Sequence, residues 1–478
     1  MRTHSRAWGP WLVAATLVSI PSMAAAQPSG IPTGLSTDPI ETHVTGGEEV
    51  EVCGWPDTVA VTGGGGLCTG SLVHPRVVVT AAHCGGGSKT IRFSEVSNAG
   101  RSVSAQCTTY PDYIGTNDQA HDWAFCILDE EVTEIPFTPP LFGCELDMLE
   151  EGLPVAIAGF GDGGPDGSSG TKRWGMSQVV TTFGNTANIG GDGPSTCQGD
   201  SGGSAFVAMA DGSWRALSMV STGLIGCDQT TGVHALMHPA IPWIEETAQI
   251  DITPCHDLDG TWNPTPMCAD VFAGGSEGYG TWSDWCPDTP RSGALSTCGE
   301  PFDAVTDDEP PVVRITSPAY GDTFDSGSLV SVDIDAEDEG WGVREVWVLI
   351  GGSKQPVRDE YPPYGFADVP FPDGVFEIVA VAEDWAGNVA MSEPVVIGVN
   401  ADVPDPEPPS ADSSGGAVDT DDPGTTTGDE PPSDDSSGGV PGVADDGGEG
   451  GCACNGGGGG LPPVGLLVLL ALVRRRRS

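Results

Sequence analysis

Across residues 44–250 the apolar side chains come only in short runs of valine, isoleucine and alanine, cut every few positions by glycine or proline. Arg76-Val77-Val78-Val79-Thr80 and Val155-Ala156-Ile157-Ala158-Gly159-Phe160 are two of them. This pattern predicts many short strands in an all-β domain. Its last piece, Ile241-Pro242-Trp243-Ile244-Glu245-Glu246-Thr247, reads as a short terminal helix with proline at its start.

Residues 251–305 change character: Cys255, Cys268, Cys286 and Cys298 stand in a stretch with little apolar content. That predicts a small module held by two disulfides, since it can bury little core of its own. Strand patterns return over 309–400, in Val312-Val313-Arg314-Ile315, Val330-Ser331-Val332-Asp333-Ile334, the run 343–350 and the run 375–382. Their number and spacing suggest a β-sandwich. Asp333, Asp335, Glu337 and Asp338 are oxygen donors of the type calcium prefers. In so acidic a chain, a solvated acidic loop is the simpler reading, and no metal site is expected. Residues 401–451 carry fourteen acidic side chains before Gly450 and no basic ones, among Pro, Ser, Gly and Thr, and read as a self-repelling disordered stalk.

The two ends suggest export. Arg2 and Arg6 precede an apolar run ending at Ile20, then Ala24-Ala25-Ala26 before Gln27, a secretory signal over 1–26. The apolar run is shorter than the roughly 20 residues of a membrane span, which disfavours the alternative of an N-terminal anchor. Fourteen cysteines then fit disulfides formed in an oxidising compartment. A formal charge of −50, with Lys89, Lys172 and Lys354 as the lysines, excludes nucleic acid as a partner. The sequence gives no sign of a nucleotide, haem or other cofactor site.

Chemistry concentrates in three strings. Cys197-Gln198-Gly199-Asp200-Ser201-Gly202-Gly203 sets a serine in a glycine-rich turn able to aim backbone N–H groups at a developing oxyanion. A serine hydroxyl near neutral pH needs a base and a third group to orient that base. Thr80-Ala81-Ala82-His83-Cys84 closes a strand with a histidine, and His121-Asp122-Trp123-Ala124-Phe125 places an aspartate before an apolar strand. His121, on the opposite side of an extended chain from Asp122, is expected at the surface.

These strings, in this order, resemble the trypsin/chymotrypsin family of serine proteases over about residues 44–247. The resemblance implies a mainly β, two-barrel trypsin-like domain that hydrolyses peptide bonds in protein or peptide substrates through an acyl-enzyme. His83 would serve as base, Asp122 as its orienter and Ser201 as nucleophile, with Gly199 and Ser201 N–H groups forming the oxyanion hole. Ser221 matches the serine that hydrogen-bonds near the triad aspartate, an ordinary strand serine being the alternative. Val44-Thr45-Gly46-Gly47 is similar to the family's mature N-terminus. Cleavage of a propeptide, residues 27–43, after His43 would therefore free the Val44 amine to pair with Asp200. An activating protease is then a partner, although His43 and Val44 depart from the family's usual residues.

Ser195 falls at the floor of the specificity pocket and Gly223 and Gly232 on its walls. No charge sits there, which implies cleavage after large apolar or aromatic residues. His234 stands where the family often has tyrosine, and an acid-specific pocket that uses it is the alternative. The family's pattern implies Cys68–Cys84 and Cys197–Cys227 disulfides; by elimination Cys107 would pair with Cys126 and Cys53 with Cys144.

Two further resemblances complete the chain. Ile315-Thr316-Ser317-Pro318 and Ala382-Glu383-Asp384-Trp385-Ala386-Gly387-Asn388 resemble bacterial immunoglobulin-like domains. Cys452-Ala453-Cys454, a glycine run, the apolar stretch 461–473 and Arg474-Arg475-Arg476-Arg477 resemble the MYXO-CTERM sorting tail of myxobacterial surface proteins. That tail, residues 452–478, implies transient membrane association, a sorting protease and delivery to the cell surface or medium, with a permanent membrane anchor as the alternative. A non-catalytic adhesin built on the same folds is the competing reading of the whole.

Overall fold

The computed structural model describes residues 47–64, 66–162, 169–191, 194–223 and 231–404. The signal and propeptide, Val44, Cys227, the acidic stalk from residue 405 onward and the sorting tail lie outside the described residues.

After a two-residue strand β1 (Glu48–Glu49), six strands close a first barrel: β2 (Thr58–Thr62), β3 (Leu67–His74), β4 (Val77–Thr80), β5 (Gly87–Phe93), β6 (Arg101–Thr109) and β7 (Ala124–Leu128). They pair in the order β2-β3-β4-β7-β6-β5. The two-residue period of a strand decides which side chains fill the interior. In β6, Val103, Ala105 and Cys107 are buried while Ser102, Ser104 and Gln106 face out. A second barrel follows from β8 (Pro154–Gly159), β9 (Arg173–Phe183), β10 (Thr186–Gly190), β11 (Ser204–Ala208), β12 (Trp214–Gly223) and β13 (Thr231–Leu236). It closes through the β8–β9 pairing, with β1 alongside β9. Helix α1 (Ile241–Ala248), with Pro242 in its first turn, ends this part of the chain as the sequence predicts.

The barrels meet over a shared apolar layer. Val77, Val79 and Phe125 of the first bury against Ala156, Phe206 and Met219 of the second, with Ile241 and Ile244 of α1. Trp55 lies at its centre, stacked 4.9 Å from Phe206 and tilted against Trp214 at 5.0 Å. Trp123 Nε1–H donates across the seam to the Leu236 carbonyl at 2.9 Å. Each fully buried large side chain contributes roughly 1.5–3 kcal/mol, so this layer sets the relative placement of the two barrels.

The cysteine-rich segment departs from expectation. Only Cys255–Cys268 closes within it. Cys286 reaches back to Cys53, and Cys298 to Cys144, so the elimination pairing Cys53–Cys144 is replaced by two long-range bridges. The elimination failed because it treated the segment as self-contained, whereas it lies on the barrels and shares their core. Val271, Trp282 and Leu295 bury with Val59, Ile91 and Phe93 of the first barrel, and Phe272 lies 5.4 Å from Trp55. Glu95 Oε1 accepts both the Cys53 N–H at 2.6 Å and the Trp282 Nε1–H at 2.5 Å. Cys68–Cys84 and Cys107–Cys126 form as expected, the latter between directly paired residues of β6 and β7. Cys197 is also disulfide-bonded.

The remaining strands are β14 (Val312–Ser317), β15 (Thr323–Phe324), β16 (Leu329–Glu337), β17 (Val343–Ile350), β18 (Ser353–Asp359), β19 (Gly365–Pro370), β20 (Gly374–Asp384), β21 (Val389–Met391) and β22 (Val395–Val399). A sheet β14-β16-β19 packs on a sheet β15-β22-β20-β17-β18 over Val332, Ile334, Val346, Val348, Ile378 and Ile397. An ionic cluster joins this sandwich to the first barrel: Arg76 pairs with Glu360 at 2.6 Å and Arg358 with Glu131 at 2.7 Å. Asp335 pairs with Arg314. Asp338 instead approaches Asp307 and Asp384, where backbone N–H groups of Gly340, Gly342, Trp341 and Asn388 already donate to the carboxylates. Among the described residues no helix is long and apolar enough to cross a membrane.

Non-reducing peptide mapping should recover Cys53 joined to Cys286 and Cys144 to Cys298. Cys286→Ser should cost about 2–5 kcal/mol in urea unfolding, because the lost bridge closes a long loop. Recovery of a Cys53–Cys144 peptide would contradict this arrangement.

Candidate active site

Asp122 follows a single 3₁₀ turn, Gln119–His121, that drops its carboxylate into the seam between the barrels, where it is 1 % exposed. Three donors meet it. The His83 backbone N–H reaches Oδ1 at 2.8 Å, and His83 Nδ1 lies 2.7 Å from Oδ2. The Ser221 hydroxyl donates to Oδ2 at 2.6 Å. A carboxylate accepts only, so His83 Nδ1 carries the proton and Nε2 is left with its lone pair.

His83 comes from the 3₁₀ turn Ala82–Cys84 that ends β4, and its ring remains partly open to solvent. Ser221 sits where the β12–β13 register shifts between Val220 and Thr222, an irregularity of the kind that re-aims a strand side chain. His121 lies within the 3₁₀ turn rather than an extended strand. It is 40 % exposed, bonded to Asp118 at 2.9 Å and stacked on Tyr110.

The serine turn is held from several sides. Thr69 N–H donates to the Ser201 carbonyl at 2.9 Å, and Thr69 Oγ1–H to the Gly199 carbonyl at 2.8 Å. The same oxygen accepts the Phe160 N–H at 3.1 Å. Gly202 N–H donates to Val220 and Asp162 N–H to Gln198. Gly199 has φ +102°, and a Cβ there would lie 2.9 Å from Gly161 Cα. Gly202 has φ +85°, and its Cβ would meet Thr80 Oγ1, with Ala81 N and Thr69 O at 2.6 Å. Both positions therefore require glycine. Thr69 escaped the sequence reading: a threonine after Cys68 carries no signal until the fold sets it against residues 159–201.

Asp200 lies beneath this turn, its oxygens accepting the Gly161 N–H at 2.7 Å and the Cys197 N–H at 2.9 Å. Burial pushes its carboxyl up to about 6, despite those bonds and the Arg173 charge. Gly47, the first described residue, is buried, with its Cα close to Gly175 beside Pro194.

The pocket positions cluster on β12, β13 and the segment before the turn. Gly223 and Gly232 are paired across β12 and β13. Ser195 is 5 % exposed and hydrogen-bonded or otherwise partnered within the fold. His234 is fully buried with Nδ1 3.1 Å from Ser218 Oγ, and burial drives its imidazole down to about 3, so it is neutral.

The comparisons agree with this architecture. Residues 44–244 match the family described as Trypsin, and residues 311–380 the one described as Bacterial Ig domain. The chain is similar to human transmembrane protease serine 5, 28 % identical over 248 residues, which cover 44 % of this chain and 53 % of that protein. It is likewise 28 % identical over 233 residues to Trypsin 5G1 of Aedes aegypti, covering 43 % of this chain and 85 % of that one. The match thus spans about half the length of the human relative. The chain carries a trypsin-like serine protease domain and a bacterial Ig domain.

The raised Asp200 has a thermodynamic consequence. Its folded value lies above its ordinary 3.8, so the folded state holds the proton more tightly. Its contribution is full below about pH 4 and lost as pH rises towards 6, about 3 kcal/mol for a two-unit shift. In the uncleaved Ser201→Ala protein, Asp200→Asn should remove that part of the pH dependence of urea unfolding. A residual slope from Asp57, also pushed to about 6 by burial, should persist. An unchanged slope would contradict the assignment.

Proposed function

We propose that this chain is an exported serine endopeptidase. The observation that carries the reading is the hydrogen-bonded chain from Ser221 through Asp122 to His83, in a fold whose serine turn is fixed at both ends.

In this mechanism His83 Nε2 takes the proton from Ser201 Oγ as the hydroxyl attacks the scissile carbonyl. The tetrahedral oxyanion is received by the N–H groups of Gly199 and Ser201, and His83 then protonates the leaving amine. Water, deprotonated by the same nitrogen, hydrolyses the acyl-enzyme. Asp122 keeps the imidazole in the Nδ1–H tautomer and stabilises its cation. Loss of the Asp122 charge should cost about 10⁴ in kcat, and loss of Ser201 about 10⁶.

Activation rests on Asp200. Cleavage after His43 would free the Val44 amine to pair with this buried carboxylate. The charge-free floor at Ser195 disfavours basic residues before the scissile bond. The signal over 1–26, five described disulfides and the sorting tail over 452–478 support export, with membrane association through 461–473 during sorting. The Ig domain and cysteine-rich segment then travel with the protease as one secreted unit.

Activated protein should be labelled by a fluorophosphonate probe, and Ser201→Ala should abolish the labelling. Absence of labelling in protein whose N-terminus is Val44 would overturn the endopeptidase reading in favour of a non-catalytic binding protein.

A further inference from the structure

The peptide units of the serine turn divide into two kinds. The unit joining Gln198 to Gly199 is held through its carbonyl, which accepts the Asp162 N–H at 2.9 Å, and the unit joining Asp200 to Ser201 through its carbonyl, which accepts the Gly203 N–H at 2.8 Å. The N–H groups of these two units, those of Gly199 and Ser201, meet no acceptor among the described residues. They are the pair to which the proposed mechanism gives the oxyanion. The units on either side of Asp200–Ser201 are held at both ends instead. The Gly199 carbonyl accepts the Thr69 hydroxyl at 2.8 Å while the Asp200 N–H donates to Cys197 at 3.0 Å. The Ser201 carbonyl accepts the Thr69 N–H at 2.9 Å while the Gly202 N–H donates to Val220 at 2.8 Å.

One residue of the first barrel therefore grips the turn of the second on both sides of the peptide that bears the Ser201 N–H. Thr69 is itself fixed. It is fully buried on β3, and its carbonyl accepts the Thr80 hydroxyl at 2.8 Å. Its Oγ1 accepts the Phe160 N–H at 3.1 Å, which leaves the single hydroxyl hydrogen to be aimed at Gly199. A β-branched side chain has little rotamer freedom, so that aim is kept at small entropic cost. The turn also lies tight against it: a Cβ on Gly203 would fall 2.8 Å from Thr69 Cγ2, and one on Gly202 2.6 Å from the Thr69 carbonyl oxygen.

We propose that Thr69 is a positioning residue for catalysis, and that its hydroxyl sets the direction of the two N–H groups that receive the oxyanion. The inference rests on the endopeptidase reading, with Ser201 as nucleophile. Thr69 touches neither substrate nor reacting atoms and acts through the Gly199 carbonyl. Oxyanion donors stabilise the transition state only when they are already aimed at the place where charge develops. Removal of one such donor costs about 10²–10³ in rate, and a turn left free to rotate loses part of that, about 10–10². Because the bound ground state carries little charge on that oxygen, the loss falls on the limiting rate and spares the half-saturating concentration. The backbone N–H bond to Ser201 survives any substitution at residue 69, so side-chain variants isolate the hydroxyl.

The test uses the activated full chain and a fluorophosphonate probe, with the labelling rate followed against probe concentration well below the unfolding temperature of each variant. The acylation burst with p-nitrophenyl acetate, an ester with no side chain to select, gives a second rate. Thr69→Val, close in shape but without the hydroxyl, should lower both limiting rates about 10–10²-fold and leave the half-saturating probe concentration within about threefold. Thr69→Ser, which restores the hydroxyl without the methyl, should return both rates to within about threefold of the parent. Thr69→Ala supplies the same comparison if the valine variant does not fold. A variant lacking the hydroxyl that is folded and reacts at the parent's rate overturns the proposal, since loss of a purely structural contact lowers stability without slowing the folded protein. Serine and valine variants that are equally slow overturn the assignment to the hydroxyl. A parent protein that does not label at all overturns the endopeptidase reading itself.

Discussion

The Asp122 carboxylate is the point on which the candidate site depends. It is buried, and its two oxygens take three donors, two from His83 in the first barrel and one from Ser221 in the second. A buried carboxylate is costly unless its acceptor sites are filled, so the two barrels are compelled to meet in one register there. The apolar seam around Trp55 and the Trp123-to-Leu236 hydrogen bond make that register favourable from either side. The tautomer of His83 follows from the same contacts.

The accessory segments reinforce this placement. Bridges from Cys286 to Cys53 and from Cys298 to Cys144 fasten one strap of chain to the entrance of the first barrel and to the link between barrels. Phe272 and Trp282 of that strap enter the cores it crosses. The segment is therefore a brace on the protease domain. The Ig sandwich adds the Arg76–Glu360 and Arg358–Glu131 contacts at the surface of the first barrel. Ion pairs of this partly exposed kind contribute little energy each, typically below about 1 kcal/mol, and chiefly set orientation.

Features encoded locally were legible in the sequence. Short β-branched runs announced the strands, Pro242 the start of α1, and the strings around His83, Asp122 and Ser201 the three groups that the resemblance assigns to catalysis. The Cys107–Cys126 pair, reached by elimination, forms because its two strands are neighbours in the barrel. What failed or went unseen is non-local. Thr69 and the Cys53–Cys286 bridge take their meaning from chain segments far away in sequence. A threonine that holds a turn through one hydroxyl is indistinguishable, in sequence, from one in any strand. His234 was noticeable as a departure from the usual tyrosine.

The most direct test of the Asp122 arrangement is nitrogen-15 NMR of the histidine rings in activated protein near pH 8, with His83 assigned by its loss in His83→Gln. The account predicts that His83 carries a proton at Nδ1 held by Asp122, with the signal of that proton lost in Asp122→Ala. A His83 ring protonated at Nε2, or an Nδ1 proton indifferent to Asp122, would contradict it.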